Sequence, residues 1–260
     1  MLKEIPATPK VKLENILYFL NDNIKIIKIY KDSIICTSKI EKVKIPKYLT
    51  PKLAYFIGYF QGDGCLGKDK KRITFADEFK EQLYIINNLT FNLFNTKGSI
   101  RLGTSSISTK NFYRLEINRN IINLFLNKYW KFFRGAKENI RIPKIMFKNK
   151  KILRLYLMGL FDAEGTLPKN ANKCKQIFID IAMKDLLMIK DIRKALKEFG
   201  VTTLRPYPRK SISPTTYKIN ITWELRIRKH EEIAKFLNKI GFYHPIKVKR
   251  LILLRNFLGL

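Results

Sequence analysis

The chain has 260 residues, with 52 Lys and Arg against 21 Asp and Glu, a formal charge of +31 and a pI near 10.1. Hydrophobic residues at 46% exclude a disordered chain, and the charge calls for a polyanionic partner, nucleic acid ahead of a membrane surface. Two histidines, His230 and His244, weigh against a His-built zinc site or a His-based triad, and three scattered cysteines, Cys36, Cys65 and Cys174, against a disulfide framework. The thiols read as reduced, in the cytosol or an organelle matrix. The start is not a signal peptide, and no apolar run reaches the length of a membrane span.

Residues 1–45 form an N-terminal extension, with a short helix over 12–20 and a hairpin of β-branched residues over 24–29 and 32–37. Packing against the first repeat is favoured over an accessory DNA-contacting arm. That repeat occupies 46–134. Thr50 and Pro51 launch a helix, Thr as N-cap and Pro at N1. The helix contains Phe-Ile-Gly-Tyr-Phe-Gln-Gly-Asp-Gly at 56–64. Period-two alternation at 72–77, with Ile73 and Phe75 on one face, predicts a strand. A helix over 78–94 carries Leu83, Ile86, Leu89 and Leu93 inward. Strands over 99–102 and 112–118 follow, then a helix over 120–132. Residues 135–150 are a basic linker holding one proline, ordered against the protein.

The second repeat, 151–260, follows the same plan. Leu-Met-Gly-Leu-Phe-Asp-Ala-Glu-Gly stands at 157–165. The strand at 176–181 matches 72–77. The helix at 184–199, with Leu186, Ile189, Ile192 and Leu196 inward, matches 78–94. Residues 203–205 match 99–101, and 223–228 match 113–118. Each motif helix is apolar almost all round, as buried helices are. Gly58 with Gly62, and Gly159 with Ala163, give each a strip without bulk, so the two helices are expected to face each other closely. Asp63 and Glu164 fall at the C-terminal ends, where the macrodipole is negative and an acid is the wrong charge. A divalent cation is the expected counter-charge.

These two stretches resemble the paired motifs of the LAGLIDADG homing endonucleases in the single-chain, two-repeat form. The second copy follows the pattern closely, and the first has Gln61 where the pattern has an acid. The resemblance implies an α+β fold of two pseudo-symmetric αββαββα repeats, each with a curved antiparallel DNA-binding sheet, meeting at a central two-helix interface. It implies a Mg²⁺-dependent hydrolase, a nuclease making a staggered double-strand break in a long asymmetric DNA site. Mn²⁺ is expected to substitute, and Ca²⁺ to support binding without cleavage. Asp63 and Glu164 are the implied metal ligands, one per DNA strand, completed by the carbonyls of Gly62 and Ala163. The resemblance also implies a basic residue near each scissile phosphate. Lys249, with Lys247 behind it, matches in the second repeat, and Arg141 is the nearest match in the first. For both, a plain phosphate contact stands beside a catalytic role.

The strand at 217–228 alternates, with Ile219, Ile221, Trp223, Leu225 and Ile227 on one face. Lys218, Asn220, Thr222, Glu224, Arg226 and Arg228 take the other, the side-chain types that read bases and phosphates. Arg72, Arg101, Arg114, Arg205 and Arg209 fall on matching positions. Arg114 and Glu116 correspond to Glu224 and Arg226 with charges exchanged, which predicts an asymmetric target. Loops 67–71, 103–110 and 210–216 are expected to add contacts. Two motifs in one chain predict a monomer. Intron RNA is the competing partner, in a maturase, and a regulator without cleavage is a further alternative. There is no Cys at the start and no His-Asn at the end, so the ends expected of an intein are absent. The chain reads as a free-standing protein, intron-encoded or from an independent gene.

Overall fold

The computed structural model describes residues 5–6, 8–20, 24–38, 41–103, 111–132, 140–168, 176–212 and 219–258, with side chains to 255. The chain divides into two compact units, with the boundary after residue 137.

In the first unit, β1 (Val11–Lys12) pairs with β5 (Tyr48–Leu49), and a 3₁₀ turn spans Ile16–Phe19 where a helix was expected over 12–20. The expected hairpin is β2 (Lys25–Ile29) with β3 (Ser33–Thr37), and β4 (Lys42–Pro46) adds a third strand. The extension packs on the repeat: Glu41 accepts the backbone N–H of Ile121 at 3.0 Å. Helix α1 (Pro51–Asp63) begins as its sequence dictates, the Thr50 hydroxyl accepting from Leu53 N at 3.3 Å with Pro in the first turn. Every residue of α1 except Lys52 and Asp63 is buried. After it come β6 (Gly64–Leu66), β7 (Arg72–Asp77), α2 (Lys80–Phe94), β8 (Ser99–Gly103), β9 (Phe112–Asn118) and α3 (Asn120–Leu124). The strands form one antiparallel sheet in the order β6-β7-β9-β8. Rings of Phe56, Phe75, Phe94 and Phe125 interlock beneath it at centroid distances of 5.5 to 6.1 Å. The helix expected over 120–132 loosens into a π-turn at Phe125–Tyr129 and ends where Lys131 turns left-handed, φ 56°.

The second unit repeats this with α4 (Lys150–Glu164), β10 (Gly165–Thr166), β11 (Ile179–Met183), α5 (Leu186–Lys197), β12 (Tyr207–Ile212), β13 (Ile219–Ile227) and α6 (His230–Lys239). A further helix, α7 (Pro245–Leu258), closes it. Its sheet has the order β10-β11-β13-β12, the same path through space as the first. Each unit therefore contains helix, two strands, helix, two strands, helix. From Ile140 on the linker belongs here: Ile140 N and Ile142 N donate to Asp185 and Asp191 at 2.8 and 3.1 Å.

The registers correct the sequence match between repeats by two residues. Gly64 opposes Phe75 and Gly165 opposes Ile181, so Arg72 corresponds to Phe178, not Gln176. Arg101 opposes Arg114 while Tyr207 opposes Glu224, so Tyr207 takes the place of Arg101, and Arg205 that of Ser99. A slip of two leaves every side chain on its original face, so alternation alone does not detect it.

Candidate metal and nucleic-acid site

Asp63 and Glu164 are the last residues of α1 and α4, both half-buried, and the next residue in each case opens the first strand of the sheet. The glycines at this junction are not left-handed caps: φ is −78° at Gly64 and −73° at Gly165. They are needed for room. A Cβ on Gly64 would stand 2.6 Å from the Phe60 carbonyl oxygen, and one on Gly165 2.5 Å from that of Phe161. The chain thus turns from helix into strand within one residue and carries its acid at the corner.

Around Asp63, Tyr59 donates its hydroxyl to Asp77 at 2.8 Å, and Asp77 also accepts from Phe79 N to start α2. Burial pushes the Tyr59 hydroxyl well above its ordinary pKa, with the charges of Asp77 and Asp63 adding to the effect. The phenol therefore stays protonated and supplies no base. Beside Glu164, the ammonium of Lys247 reaches the α4 carbonyls of Phe161 at 2.9 Å, Asp162 at 2.6 Å and Ala163 at 3.4 Å. This is a cation on the negative end of a helix dipole. Asp162 itself is buried and accepts twice from Tyr243 N, so it ties the loop before α7 to α4.

Two expectations for basic residues change here. Arg141 lies in the second unit, held bidentately by Asp191 at 2.6 and 2.7 Å, an ion pair that anchors the linker to α5. Lys249 is exposed on α7, and Lys247 is the lysine that meets the motif helix. Lys247 was legible two residues away in the same run, where a helical face separates i from i+2.

A cation-binding set can be tested against these donors. Among the described residues no three His, Cys, Asp or Glu side chains cluster. Each corner offers one carboxylate and helix-end carbonyls, all hard oxygens. That is too few for a closed protein cage but fits Mg²⁺, which takes one or two carboxylates and completes its shell with water and phosphate.

The outer faces of the two sheets differ in charge. In the first, Arg101 and Arg114 stand directly opposite each other across β8 and β9, both exposed. Like charges so placed repel unless an anion lies over them. Glu116 approaches Arg114 only at 3.9 Å, and Arg72, at the start of β7, has Asp69 at 3.5 Å. In the second, Glu224 is buried and accepts from Tyr207 and from Arg209 at 3.0 Å. Arg226 spans Glu224 at 3.3 Å and Asp180 at 3.5 Å, and its guanidinium lies 3.9 Å from the centre of the Phe178 ring. Burial works against the Glu224 charge, but Tyr207 and Arg209 outweigh it and hold the carboxyl below its ordinary pKa. Burial raises Asp180, with Arg226 opposing. Glu224 is thus a structural anion here, not an exposed reader, and Arg209 and Arg226 arrive already paired. Asn220 and Thr222 are half-exposed on β13, and Arg205 and Arg228 are exposed just outside the strands. Ile219 and Ile221 are 66% and 47% exposed, so the expected inward face is buried only toward Leu225 and Ile227. Lys218, Cys174, most of the loop at 103–110 and part of that at 210–216 lie outside the described residues. No helix among the described residues is long and apolar enough to cross a membrane.

A family model described as LAGLIDADG-like domain matches residues 50–129 and 151–241, one match per repeat. A glutamine–fructose-6-phosphate aminotransferase of Methanocaldococcus jannaschii is 33% identical over 230 residues, 88% of this chain and 19% of that protein. The chain spans 11% to 22% of the length of the curated relatives it matches. The crystal structure of full-length DUF199/WhiA from Thermatoga maritima aligns over 80% of this chain and 60% of its own, with a TM-score of 0.50 and 15% identity. That of I-DmoI in complex with DNA and Mn covers 74% and 97%, with a TM-score of 0.47 and 16% identity. At such identities these are likenesses of fold.

Proposed function

We propose, from the premise that this chain belongs to the LAGLIDADG-like domain family, that it is a site-specific DNA endonuclease cutting both strands of an asymmetric duplex, acting as a monomer. The observation that carries this reading is the repeated corner: an acid at the last helical residue, followed at once by a strand whose sheet bears arginines on its outer face. Asp63 and Glu164 would each hold one Mg²⁺, with the Gly62 and Ala163 carbonyls beside them. Bound there, Mg²⁺ supplies an activated water and neutralises charge on the leaving oxygen. The chain's own residues do the remainder. Lys247 holds a positive charge at the end of α4, where a phosphodiester would lie, and fixes the carbonyls around Glu164. Arg101 and Arg114 bind phosphates or guanine edges in one half-site. Arg226, stacked on Phe178, presents a guanidinium of fixed orientation in the other. Unequal faces in the two halves favour a non-palindromic target.

The curated relatives are several times longer than this chain and their names describe other activities, so the reading rests on the site. A maturase acting on intron RNA would use the same basic faces. The two retained acids, which RNA binding does not require, favour cleavage. The test is incubation with a randomised plasmid library and Mg²⁺, followed by sequencing of the ends. Staggered ends at one recurring sequence are expected, and the absence of any cut product defeats the enzyme reading. Filter binding of intron RNA against duplex DNA separates the maturase, which would bind RNA more tightly and leave DNA intact.

A further inference from the structure

At the opposite end of α1 from Asp63, a cavity of about 220 Å³ opens between the N-terminal sheet, the first turn of α1 and the end of α2. Thirteen helical residues, roughly 20 Å at 1.5 Å each, separate the two ends. Helix α2 packs against β7, β8 and β9 and also against β4, so this cavity lies on the helix layer's far side from the arginine face. Three lysines line it, Lys10, Lys44 and Lys52, with one carboxylate, Asp32. We propose that this cavity is a second phosphate-binding site, taking the phosphate group of a nucleic-acid chain on the face opposite the reading sheet.

The charges set the ligand's sign. Lys10 pairs with Asp32 at 2.6 Å and the two cancel. Lys44 donates to the Asn92 carbonyl at 2.6 Å, a neutral acceptor, and among the described residues no carboxylate pairs with it. Burial lowers its pKa, and an anion beside it would favour the charged form. Lys52 lines the cavity as well, and the positive end of the α1 dipole acts in the same sense as Lys44. The volume sets its size: a water accounts for roughly 30 Å³, so the cavity exceeds a bare oxyanion. Tyr48 and Leu93 give the remaining wall an apolar surface against which a sugar or base can rest. Continuity favours a polymer over a free nucleotide. Next to the cavity, Lys47 donates to the carbonyl of Tyr30 at 3.1 Å, and Lys28 stands 5.0 Å over the half-exposed ring of Tyr30. An exposed aromatic among lysines is a stacking platform for single-stranded bases.

The experiment is site-resolved amine labelling of the whole chain, read by mass spectrometry at Lys44 and Lys52. The probes are inorganic phosphate, a nucleoside 5′-monophosphate and a short single-stranded oligonucleotide. Slower labelling of both lysines is expected with nucleotide and oligonucleotide. Protection by oligonucleotide at a concentration about tenfold or more below that of the mononucleotide assigns a nucleic-acid chain. Equal concentrations keep the phosphate site and assign a free nucleotide. A Lys44→Met/Lys52→Met protein, its fold checked by thermal melting, should bind the mononucleotide about tenfold or more weakly. Asp63→Asn and Arg101→Gln should leave this binding unchanged, which separates the result from the cleavage reading. Unchanged labelling with all three probes overturns the proposal, as does undiminished mononucleotide binding by the folded double variant.

Discussion

A single carboxylate sits at each helix-to-strand corner, and its chemistry can be separated from its fold. Asp63→Asn and Glu164→Gln should each abolish double-strand cleavage in Mg²⁺ while leaving gel-shift binding in Ca²⁺ intact. On the proposed reading each acid holds metal at a phosphate and not at a base edge, so loss of its charge removes water activation and no contact that selects sequence. Each change also lifts an unfavourable charge from a helix C-terminus, a gain of about 0.3–1 kcal/mol. Full double-strand cleavage by either variant would show the site to be elsewhere. Glu232 offers a contrasting case, an acid held for stability alone. It is buried on α6, accepts from Thr202 N at 2.5 Å and pairs with Lys235 at 2.7 Å. Burial opposes its charge, but these bonds prevail and hold the carboxyl at about 2 against an ordinary 4.5. A depressed carboxyl stabilises the fold above its unfolded pKa and loses that stabilisation as pH falls toward the folded value. Glu232→Gln should therefore cost about 2 kcal/mol at neutral pH in urea titrations. More than half of that difference should vanish by about pH 3.

At the scale of elements, the junctions are more constrained than the helices they end. Gly64→Ala leaves φ comfortable, yet its Cβ would press on the Phe60 carbonyl, a backbone atom that cannot swing away. The helix end must shift, at a cost of about 1–3 kcal/mol, and Asp63 shifts with it. Denaturant midpoint and cleavage rate should fall together, whereas Asp63→Asn leaves the midpoint unharmed. The sequence showed this corner's residues but not its reason, since glycine after a helix ordinarily signals a left-handed cap. The same limit runs through the fold. Strands β7 and β9 and the inward faces of α2 and α5 follow from periodicity, because burial on one side leaves a period of 2 or 3.6 in the residues. Register does not follow, since a slip of two preserves every face. That ambiguity set Arg205 beside Arg101 when Tyr207 holds the place. Pairing between distant charges was equally hidden. Arg141 reads as free in sequence until Asp191, fifty residues on, claims it. Phe242 and Phe132 both make ring contacts with their motif helices, and the residues that follow Phe132, through 139, lie outside the described residues.

Across the whole molecule, a formal charge of +31 ensures strong attraction to any duplex, so selectivity depends on how that charge is distributed. The two units share one topology and differ in how far their outer faces are neutralised from within. In the first, Arg101 and Arg114 oppose each other, and among the described residues the one carboxylate paired with either is Glu116, 3.9 Å from Arg114. In the second, Glu224 and Asp180 already engage Arg209 and Arg226. An arginine that must leave a carboxylate to meet a phosphate gains little, because one ion pair replaces another. An arginine facing another arginine gains twice, once from the phosphate and once from relief of repulsion. Arg101→Gln should therefore flatten the dependence of log K on log salt by about one unit, the loss of one phosphate contact. Arg226→Gln should change that slope much less. Glu224→Gln should act in reverse, freeing Arg209 and Arg226 and steepening the slope by about one unit. Fluorescence anisotropy of a labelled duplex across a salt series reads all three. Equal slope changes for Arg101→Gln and Arg226→Gln would mean that the second face opens on contact with DNA, and the asymmetry of charge would then carry no asymmetry of binding.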